Sequence, residues 1–317
     1  MDTRFVIMTD THFTLPPGRG IDGQFWNRTL FSRSAEISEA LISTVKNLSP
    51  DFIIHCGDFT HLGDIENFQY GVDIMDRMSC PYNIILGNHD AEHRGIRKSI
   101  TSFLENDKGK FYYSREMAGL RFIFLDSANW ITKDGKETDY LDSEIDKAGH
   151  YLGIGPSQEG LDWLRHELAQ NQNIPTIIIT HAPIHSKTTY PLSTLQGGNP
   201  VKMHPCPYHH FAMYGVKHES LRDLIAQHAN VVALFAGHWH ISSIHSFQGL
   251  LHCQTGSLME YPFEIRLLEK ERDQLKISTI GLNNSQFKND SFISEWKNQW
   301  VAGQPNDRIW NIALNRT

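Results

Sequence analysis

The sequence of 317 residues contains no apolar run approaching the roughly 18 residues that a membrane-spanning helix needs. An apolar run near the start, between Met1 and Asp10, is too short for a signal peptide and has no small-residue cleavage site after it. Lysine and arginine form no cluster that could follow a phosphate backbone, and the net charge is −7. We therefore expect neither a membrane span nor a large nucleic-acid partner.

Cysteine is also scarce. The chain has four cysteines, and their wide spacing does not form a disulfide framework. Cys56 and Cys253 lie in strand-like runs, where a free thiol packs as a small hydrophobic side chain. We expect reduced thiols and a cytoplasmic protein.

No polar linker, internal repeat or low-complexity tract divides the chain. We predict one domain over residues 1–282, with irregular loop insertions at about 13–31, 129–157 and 182–215. Residues 283–317 form a C-terminal tail whose three tryptophans are costly to leave exposed, so we expect this tail to dock on the domain.

Strands and helices alternate in the first part of the chain. Apolar runs at 4–9, 52–56 and 82–86 predict buried strands, and helical spacing of apolar residues predicts helices at 37–48 and 66–78 between them. This order favours a parallel sheet covered by helices.

The pattern continues in the second part. Further strands are expected at 120–126, 174–180 and 231–236, with helices at about 158–169 and 217–228. Short alternating runs between Ser242 and Ile280 predict antiparallel strands that extend a second sheet.

Polar residues of one chemical kind follow five of these strands. The most distinctive group is Gly87-Asn88-His89-Asp90, where a glycine turn presents an amide, an imidazole and a carboxylate together. In layered α/β folds the carboxyl ends of the strands lie along one edge, so these groups can converge. The candidate metal ligands are Asp10, His12, Asp58, Asn88, His181, His238 and His240.

Imidazole mixed with carboxylate suits Zn, Mn or Fe, whereas Ca and Mg prefer oxygen ligands alone. Seven ligands are too many for one tetrahedral ion. Two ions that share a carboxylate would use them all, and such pairs are a recurrent device for displacement at phosphorus.

These blocks, Asp-x-His, Gly-Asp, Gly-Asn-His-Asp, a lone His and Gly-His-x-His, resemble in kind and order those of the calcineurin-like metallophosphoesterase superfamily. The resemblance covers residues 4 to about 256. It implies an α/β fold of four layers, an α-β-β-α sandwich in which two mixed β-sheets are flanked by helices.

The resemblance also implies roles for the seven ligands. One metal would be held by Asp10, His12 and His240, and Asp58 would bridge the two ions. The second metal would be held by Asn88, His181 and His238. The facing ions would lower the pKa of a bridging water and so supply a hydroxide that attacks phosphorus.

The same resemblance implies that His89 faces the leaving-group oxygen as a charge stabiliser or proton donor. We expect Asp90, which follows directly, to orient or charge that imidazole. His61 and His185 are candidate substrate contacts. His55, inside a strand, is expected to be a core histidine with satisfied hydrogen bonds.

Within the superfamily the chain looks most like class III cyclic-nucleotide phosphodiesterases and bacterial glycerophosphodiesterases. We therefore expect a phosphodiesterase that acts on a small phosphoester. The long insertions, and His181-Ala182-Pro183 where the family usually has His-His-Pro, leave a phosphomonoesterase or a nucleotide pyrophosphatase as alternatives. A non-catalytic binding scaffold is disfavoured because every ligand position is filled. The long loops and aromatic tail also offer surfaces for a homodimer.

Overall fold

The computed structural model describes residues 2–16, 22–103, 110–170, 172–185, 216–283, 285–296 and 298–314. These residues form two large mixed β-sheets packed face to face, with helices on both outer faces. The four-layer α/β sandwich expected from the resemblance is confirmed.

The strands within the described residues are β1 (Thr3–Met8), β2 (Phe52–His55), β3 (Tyr82–Ile84), β4 (Tyr113–Met117), β5 (Leu120–Phe124), β6 (Asn129–Thr132), β7 (Glu137–Thr138), β8 (Tyr151–Gly155), β9 (Thr176–Ile179), β10 (Val231–Ala236), β11 (Ser243–Phe247), β12 (Leu250–Gln254), β13 (Glu264–Glu271), β14 (Gln274–Gly281) and β15 (Ile309–Ala313). The α-helices are α1 (Ser34–Leu48), α2 (Ile65–Arg77), α3 (Ile96–Ile100), α4 (Ser143–Lys147), α5 (Gln158–Gln170), α6 (His218–Ala226) and α7 (Ser285–Ser291).

The first sheet has the strand order β15-β14-β13-β1-β2-β3. Strands β1, β2 and β3 run parallel, whereas β13, β14 and β15 add antiparallel pairs on the other side of β1. The second sheet has the order β11-β12-β10-β9-β5-β4, in which β5, β9, β10 and β12 are parallel. Both sheets are therefore mixed, and each contains a parallel block whose carboxyl ends can carry functional side chains.

Successive side chains of each strand point to opposite faces of its sheet, so neighbouring residues belong to different core layers. In β1, Phe5 and Ile7 point into the core between the two sheets, where the ring of Phe5 meets Phe122 edge-on at 5.5 Å. Val6 and Met8 point the other way and pack against α1 and α2. On the far side, α5 and α6 cover the outer face of the second sheet. Burial on both faces explains why these strands read as continuous apolar runs.

The insertion predicted at 129–157 is not irregular. Strands β6, β7 and β8 form a small third sheet in the order β7-β6-β8, and the short helix α4 lies between β7 and β8. Ile131, Tyr151 and Ile154 are buried in this region. The prediction was wrong because strands of two to five residues leave too short a pattern to detect.

The late strands also differ from expectation. Only β11 and β12 join the second sheet, whereas β13 and β14 extend the first sheet beside β1. The expected antiparallel pairing is present between β11 and β12 and between β13 and β14, whereas β12 is parallel to β10. Chain order alone did not reveal this return to the first sheet.

The tail contributes to the body in two places. Strand β15 pairs with β14, and the half-buried Trp310 packs against the core between the sheets. Trp300 packs with Trp239 and Val301. The side chain of Trp296 lies outside the described residues, as does most of the predicted 182–215 insertion with His204, His209 and His210.

Cys56, Cys80 and Cys253 are free thiols. Among the described residues, none of the helices has both the length and the apolar character needed to cross a membrane.

Candidate metal centre

The carboxyl ends of five parallel strands meet at one place in the structure. Strands β1, β2 and β3 of the first sheet and β9 and β10 of the second all end there. The seven predicted ligands follow these strands directly and form two adjoining groups. The residues are Asp10, His12, Asp58, Asn88, His181, His238 and His240.

The first group consists of Asp10, His12 and His240, all buried. Nε2 of His12 lies 3.1 Å from Nε2 of His240. The same atom of His240 lies 3.5 Å from Oδ1 of Asp10. Three donor atoms thus face a common point, which is the arrangement a single cation needs.

The second group consists of Asp58, His181 and His238, with Asn88 beside them. Nε2 of His181 lies 3.2 Å from both Oδ1 of Asn88 and Nδ1 of His238. Asn88 and His238 are partly exposed, whereas His181 is fully buried. The centre is therefore open to solvent on the side of Asn88 and His238.

Asp58 links the two groups through one oxygen atom. Its Oδ2 lies 3.8 Å from Nε2 of His12 in the first group and 3.3 Å from Nε2 of His181 in the second. Its Oδ1 accepts a hydrogen bond from the backbone N–H of His89 at 2.9 Å. The carboxylate is thus fixed between the two groups, as a bridging ligand would be.

The backbone is strained where it presents these side chains. Five of the seven predicted ligands have left-handed backbone conformations, with φ between 45° and 71°. Such conformations cost a non-glycine residue roughly 1–3 kcal/mol and concentrate at functional sites. These residues are Asp10, His12, Asp58, His238 and His240.

Two glycines, Gly87 and Gly237, leave room for the carboxylates of Asp58 and Asp10 because they carry no Cβ atom. A Cβ atom on Gly87 would collide with the carboxylate and backbone of Asp58. A Cβ atom on Gly237 would collide with Thr9 and with the carboxylate of Asp10. The glycines of the Gly-Asn-His-Asp and Gly-His-x-His blocks therefore serve close packing of the metal ligands.

Hydrogen bonds on the far side of two imidazoles orient them toward the centre. Nδ1 of His240 lies 2.7 Å from Oε1 of the fully buried Glu260. Nδ1 of His181 donates to the backbone carbonyl of Cys56 at 2.9 Å. Protonation at Nδ1 leaves the Nε2 lone pair of each ring facing the neighbouring ligands, which is how metal-binding histidines are usually supported.

The electrostatics of the centre favour positive charge. Burial lowers the pKa of His240, but hydrogen bonds with Asp10 and Glu260 outweigh it and raise that pKa to about 10. Burial likewise lowers the pKa of His181, and Asp58 raises it to about 9. Burial would raise the pKa of Asp58, yet His181 and its neighbours hold it well below its usual range. The buried carboxylates and imidazole lone pairs of the centre are therefore suited to binding cations.

The prediction that Asp90 orients or charges the imidazole of His89 is wrong. The Asp90 carboxylate accepts hydrogen bonds from the backbone N–H groups of Phe59, Thr60 and Gly87, and from the hydroxyl of Thr60. These bonds fix the turn that carries Asp58. A carboxylate occupied by four donors from two turns is not available to the ring of its own neighbour in the chain.

Glu92 takes the place expected for Asp90. Its Oε1 lies 3.0 Å from Nδ1 of His89, which also donates to the backbone carbonyl of His61 at 3.0 Å. Burial lowers the pKa of His89, but Asp58 and Glu92 raise it to about 10. The imidazole is partly exposed at the open side of the centre.

His61 lies beside the metal centre, and His55 lies in the core. The His61 ring stacks at 3.9 Å on Phe31 and faces His89 at 5.4 Å. A nitrogen of His61 also lies within 4.8 Å of nitrogens of His12 and His89, so His61 lines the centre. His55 is fully buried, with Nε2 2.9 Å from the hydroxyl of Thr11.

His185 does not join the metal centre. Its Nδ1 lies 2.8 Å from Nε2 of His245, and its ring stacks on Phe247 at 3.8 Å. Both partners lie on β11, at the edge of the second sheet. The structure therefore places His185 beside β11, and its contact with substrate stays a prediction.

Sequence reasoning missed two residues of the site. Glu92 could have been found, because it lies three residues after His89 in a region of helical turns. Glu260 follows His240 by twenty residues, in a segment whose sequence carries no comparable signal.

Comparisons with known proteins agree with this geometry. The model of the family described as calcineurin-like phosphoesterase matches residues 3–242. A protein of Xenorhabdus bovienii named as a probable cyclic nucleotide phosphodiesterase is 30% identical over 112 residues, covering 35% of this chain and 41% of the relative. One of Synechococcus with the same name is 26% identical over 178 residues, covering 56% of each chain.

Among solved structures, a dimetal phosphatase from Danio rerio aligns with a TM-score of 0.65 and 16% identity. The alignment covers 88% of this chain and 96% of that one. At this identity the likeness concerns the fold. The matched part of the chain spans about half the length of the two curated relatives.

Proposed function

Because the chain belongs to the calcineurin-like phosphoesterase family, we propose that it is a dinuclear metal-dependent phosphodiesterase. Its substrate would be a small phosphodiester of the cyclic-nucleotide or glycerophosphodiester type. The single observation that carries this proposal is the position of Asp58 Oδ2, 3.8 Å from His12 and 3.3 Å from His181. One carboxylate between two groups of donors is the design of a two-metal hydrolase.

In this proposal one ion is held by Asp10, His12 and His240, and the other by Asn88, His181 and His238, with Asp58 shared. The donors mix nitrogen and oxygen, which accept Mn, Fe or Zn. When bound, two such ions supply charge neutralisation at the phosphoryl oxygens and lower the pKa of water between them.

The chain's own contribution centres on His89. Its Nδ1 is occupied by Glu92 and by the carbonyl of His61, so Nε2 is the atom that can donate a proton to the leaving-group oxygen. Glu92 orients the ring and favours its protonated form. His61, packed between Phe31 and His89, limits the space on one side of the substrate.

The preference for a diester rests on the two bacterial relatives, which are named as probable cyclic nucleotide phosphodiesterases. The partly exposed edge formed by Asn88, His89 and His238 would admit a phosphate with a substituent on each side. The free thiols support a reducing, cytoplasmic location.

The test compares bis-p-nitrophenyl phosphate, p-nitrophenyl phosphate, a cyclic nucleotide and a nucleotide diphosphate with Mn²⁺ added. We expect kcat/KM for diesters to exceed that for the monoester by at least about tenfold. A preference for the monoester or for the diphosphate would refute the diester assignment and leave the metal centre in place. No hydrolysis of any substrate by metal-loaded protein would refute the enzyme assignment itself.

His89→Ala tests the leaving-group role. Turnover should fall most for alkoxide leaving groups and least for nitrophenolate, because only the poor leaving group needs a proton. Metal content should be unchanged. Equal losses for both kinds of leaving group would contradict the role of His89 as proton donor.

A further inference from the structure

A second histidine cluster lies outside the metal centre, on the outer face of the second sheet. His245 on β11 and His252 on β12 are partners in the antiparallel register. Their neighbours Ile244 and Cys253 belong to the core between the sheets. Because side chains alternate along a strand, both imidazoles point to the opposite face. His185 joins them from the segment that follows β9.

Two of these imidazoles already face each other. Nδ1 of His185 lies 2.8 Å from Nε2 of His245. Histidine nitrogens in the metal centre face each other in the same way, at 3.1 Å between His12 and His240. A tetrahedral zinc ion with Zn–N bonds of about 2.0–2.1 Å would hold two nitrogens slightly further apart than this.

His252 provides the third ring. Its centroid lies 5.3 Å from that of His185 and 5.4 Å from that of His245. The side chain is 1% exposed, and within the part of the chain that the structure describes neither ring nitrogen has a hydrogen-bond partner. Burying polar nitrogens without partners is costly, and native structures rarely do so without a reason.

Burial lowers the pKa of both His185 and His252. Burial lowers the pKa of His252 to about 3, and His245, His185 and Arg222 act in the same direction. Neutral imidazole is the form that binds transition metals. Phe247 stacks on His185 at 3.8 Å and fixes the orientation of its ring. The guanidinium of Arg222, 5.5 Å from the centroid of Phe247, would favour an anionic fourth ligand.

We propose that His185, His245 and His252 form a binding site for a single nitrogen-preferring metal ion of the Zn²⁺ or Cu²⁺ class, separate from the two-metal centre. His185 and His245 converge as they stand, and His252 completes the site by reorienting its ring. This inference does not depend on the phosphoesterase proposal, because none of the three residues belongs to the two-metal centre.

The test counts zinc. Full-length protein is stripped with chelator, dialysed against Zn²⁺, and its zinc content measured for the wild type, His185→Ala, His245→Ala and the control His166→Ala. His166 is an exposed histidine on α5. The same set is repeated in an Asp58→Asn background, where the two-metal centre is impaired.

We expect His185→Ala and His245→Ala each to lose about one equivalent of zinc in both backgrounds, and His166→Ala to lose none. Cu²⁺ added to the Asp58→Asn protein should give an electron paramagnetic resonance spectrum with nitrogen coupling that His185→Ala abolishes. Circular dichroism confirms that each variant is folded.

Equal zinc content in the wild type and both cluster variants would overturn the proposal. So would an equal loss in His166→Ala, which would indicate adventitious binding to surface histidines. Failure of the phosphoesterase assays, with zinc counts as expected, would leave this site standing and count only against the proposed activity.

Discussion

Oε1 of Glu92 lies 3.0 Å from Nδ1 of His89, the imidazole that faces the open side of the metal centre. Glu92→Gln removes the carboxylate charge while keeping the size of the side chain. We expect kcat for alkyl phosphodiesters to fall by about tenfold or more, because His89 loses the carboxylate that orients its ring and stabilises its protonated form. Turnover of bis-p-nitrophenyl phosphate should change much less. Steady-state kinetics over a series of leaving groups measures the difference.

Asp90→Asn is the matched control, since it changes a carboxylate in the same turn. Asp90 accepts four hydrogen bonds from Phe59, Thr60 and Gly87, and an amide cannot accept all of them. We expect lower thermal stability with an unchanged dependence on the leaving group. If instead Asp90→Asn alters that dependence and Glu92→Gln does not, the roles assigned to the two carboxylates are reversed.

Asp58→Asn should impair both metal positions together. A neutral amide in place of the shared carboxylate removes one negative charge from between two cations. We expect kcat to fall by about three orders of magnitude and the rise in melting temperature on adding Mn²⁺ to shrink. The exposed Asp73→Asn on α2 serves as the control. Full metal-dependent stabilisation of Asp58→Asn would argue against a bridging role.

Gly87→Ala tests the packing between the turns. The new Cβ atom would collide with the carboxylate and backbone of Asp58, so the turn must shift. We expect a loss of about 1–3 kcal/mol in the free energy of unfolding, together with weaker metal binding. Gly160→Ala, in helix α5, is the comparison because its Cβ would meet the Ser157 hydroxyl at 3.2 Å and only side chains beyond that. Equal effects of the two substitutions would show that Gly87 has no special role.

His252 makes the metal-free protein sensitive to acid. Its folded-state pKa is lowered to about 3 by burial, against about 6.5 in the unfolded chain. The stability that the folded state gains from keeping His252 neutral is fully present above pH 6.5. It is lost as the pH falls toward 3, because in that range only the unfolded state takes up the proton. His252→Phe should therefore flatten the fall of unfolding free energy with decreasing pH, by up to about 1.4 kcal/mol per pH unit.

Urea unfolding at a series of pH values, with chelator present, measures this slope. His166→Phe on the exposed face of α5 controls for the loss of a histidine as such. An unchanged slope in His252→Phe would mean that the pKa of His252 is the same in the folded and unfolded states.

The parts of the structure that sequence predicted well are those fixed by local pattern. The apolar runs that became β1, β2 and β3, and the polar residues directly after them, were placed correctly because a buried parallel strand and its carboxyl end are close in the chain. The four-layer arrangement came from the resemblance rather than from the pattern.

Long-range contacts account for what was missed. Glu260 reaches His240 because of how the segment after β12 folds back, and no spacing in the sequence encodes that. The small sheet β7-β6-β8 was missed for a different reason, because its strands of two to five residues leave too short a pattern. Asp90 was misassigned because adjacency was taken as contact, whereas a side chain in a helical turn meets residues three or four positions away.

The pairing of β15 with β14 has a bearing on how the chain can be handled. Strand β14 is eight residues long, and residues 309–313 occupy its outer side. A chain shortened to 282 would turn β14 into an open edge strand with a row of unpaired N–H and C=O groups, which is a template for pairing between molecules. Strand β15 therefore protects the edge of the first sheet from pairing with other molecules. The same sheet contains β1 and β2, which lead into the metal ligands Asp10 and Asp58.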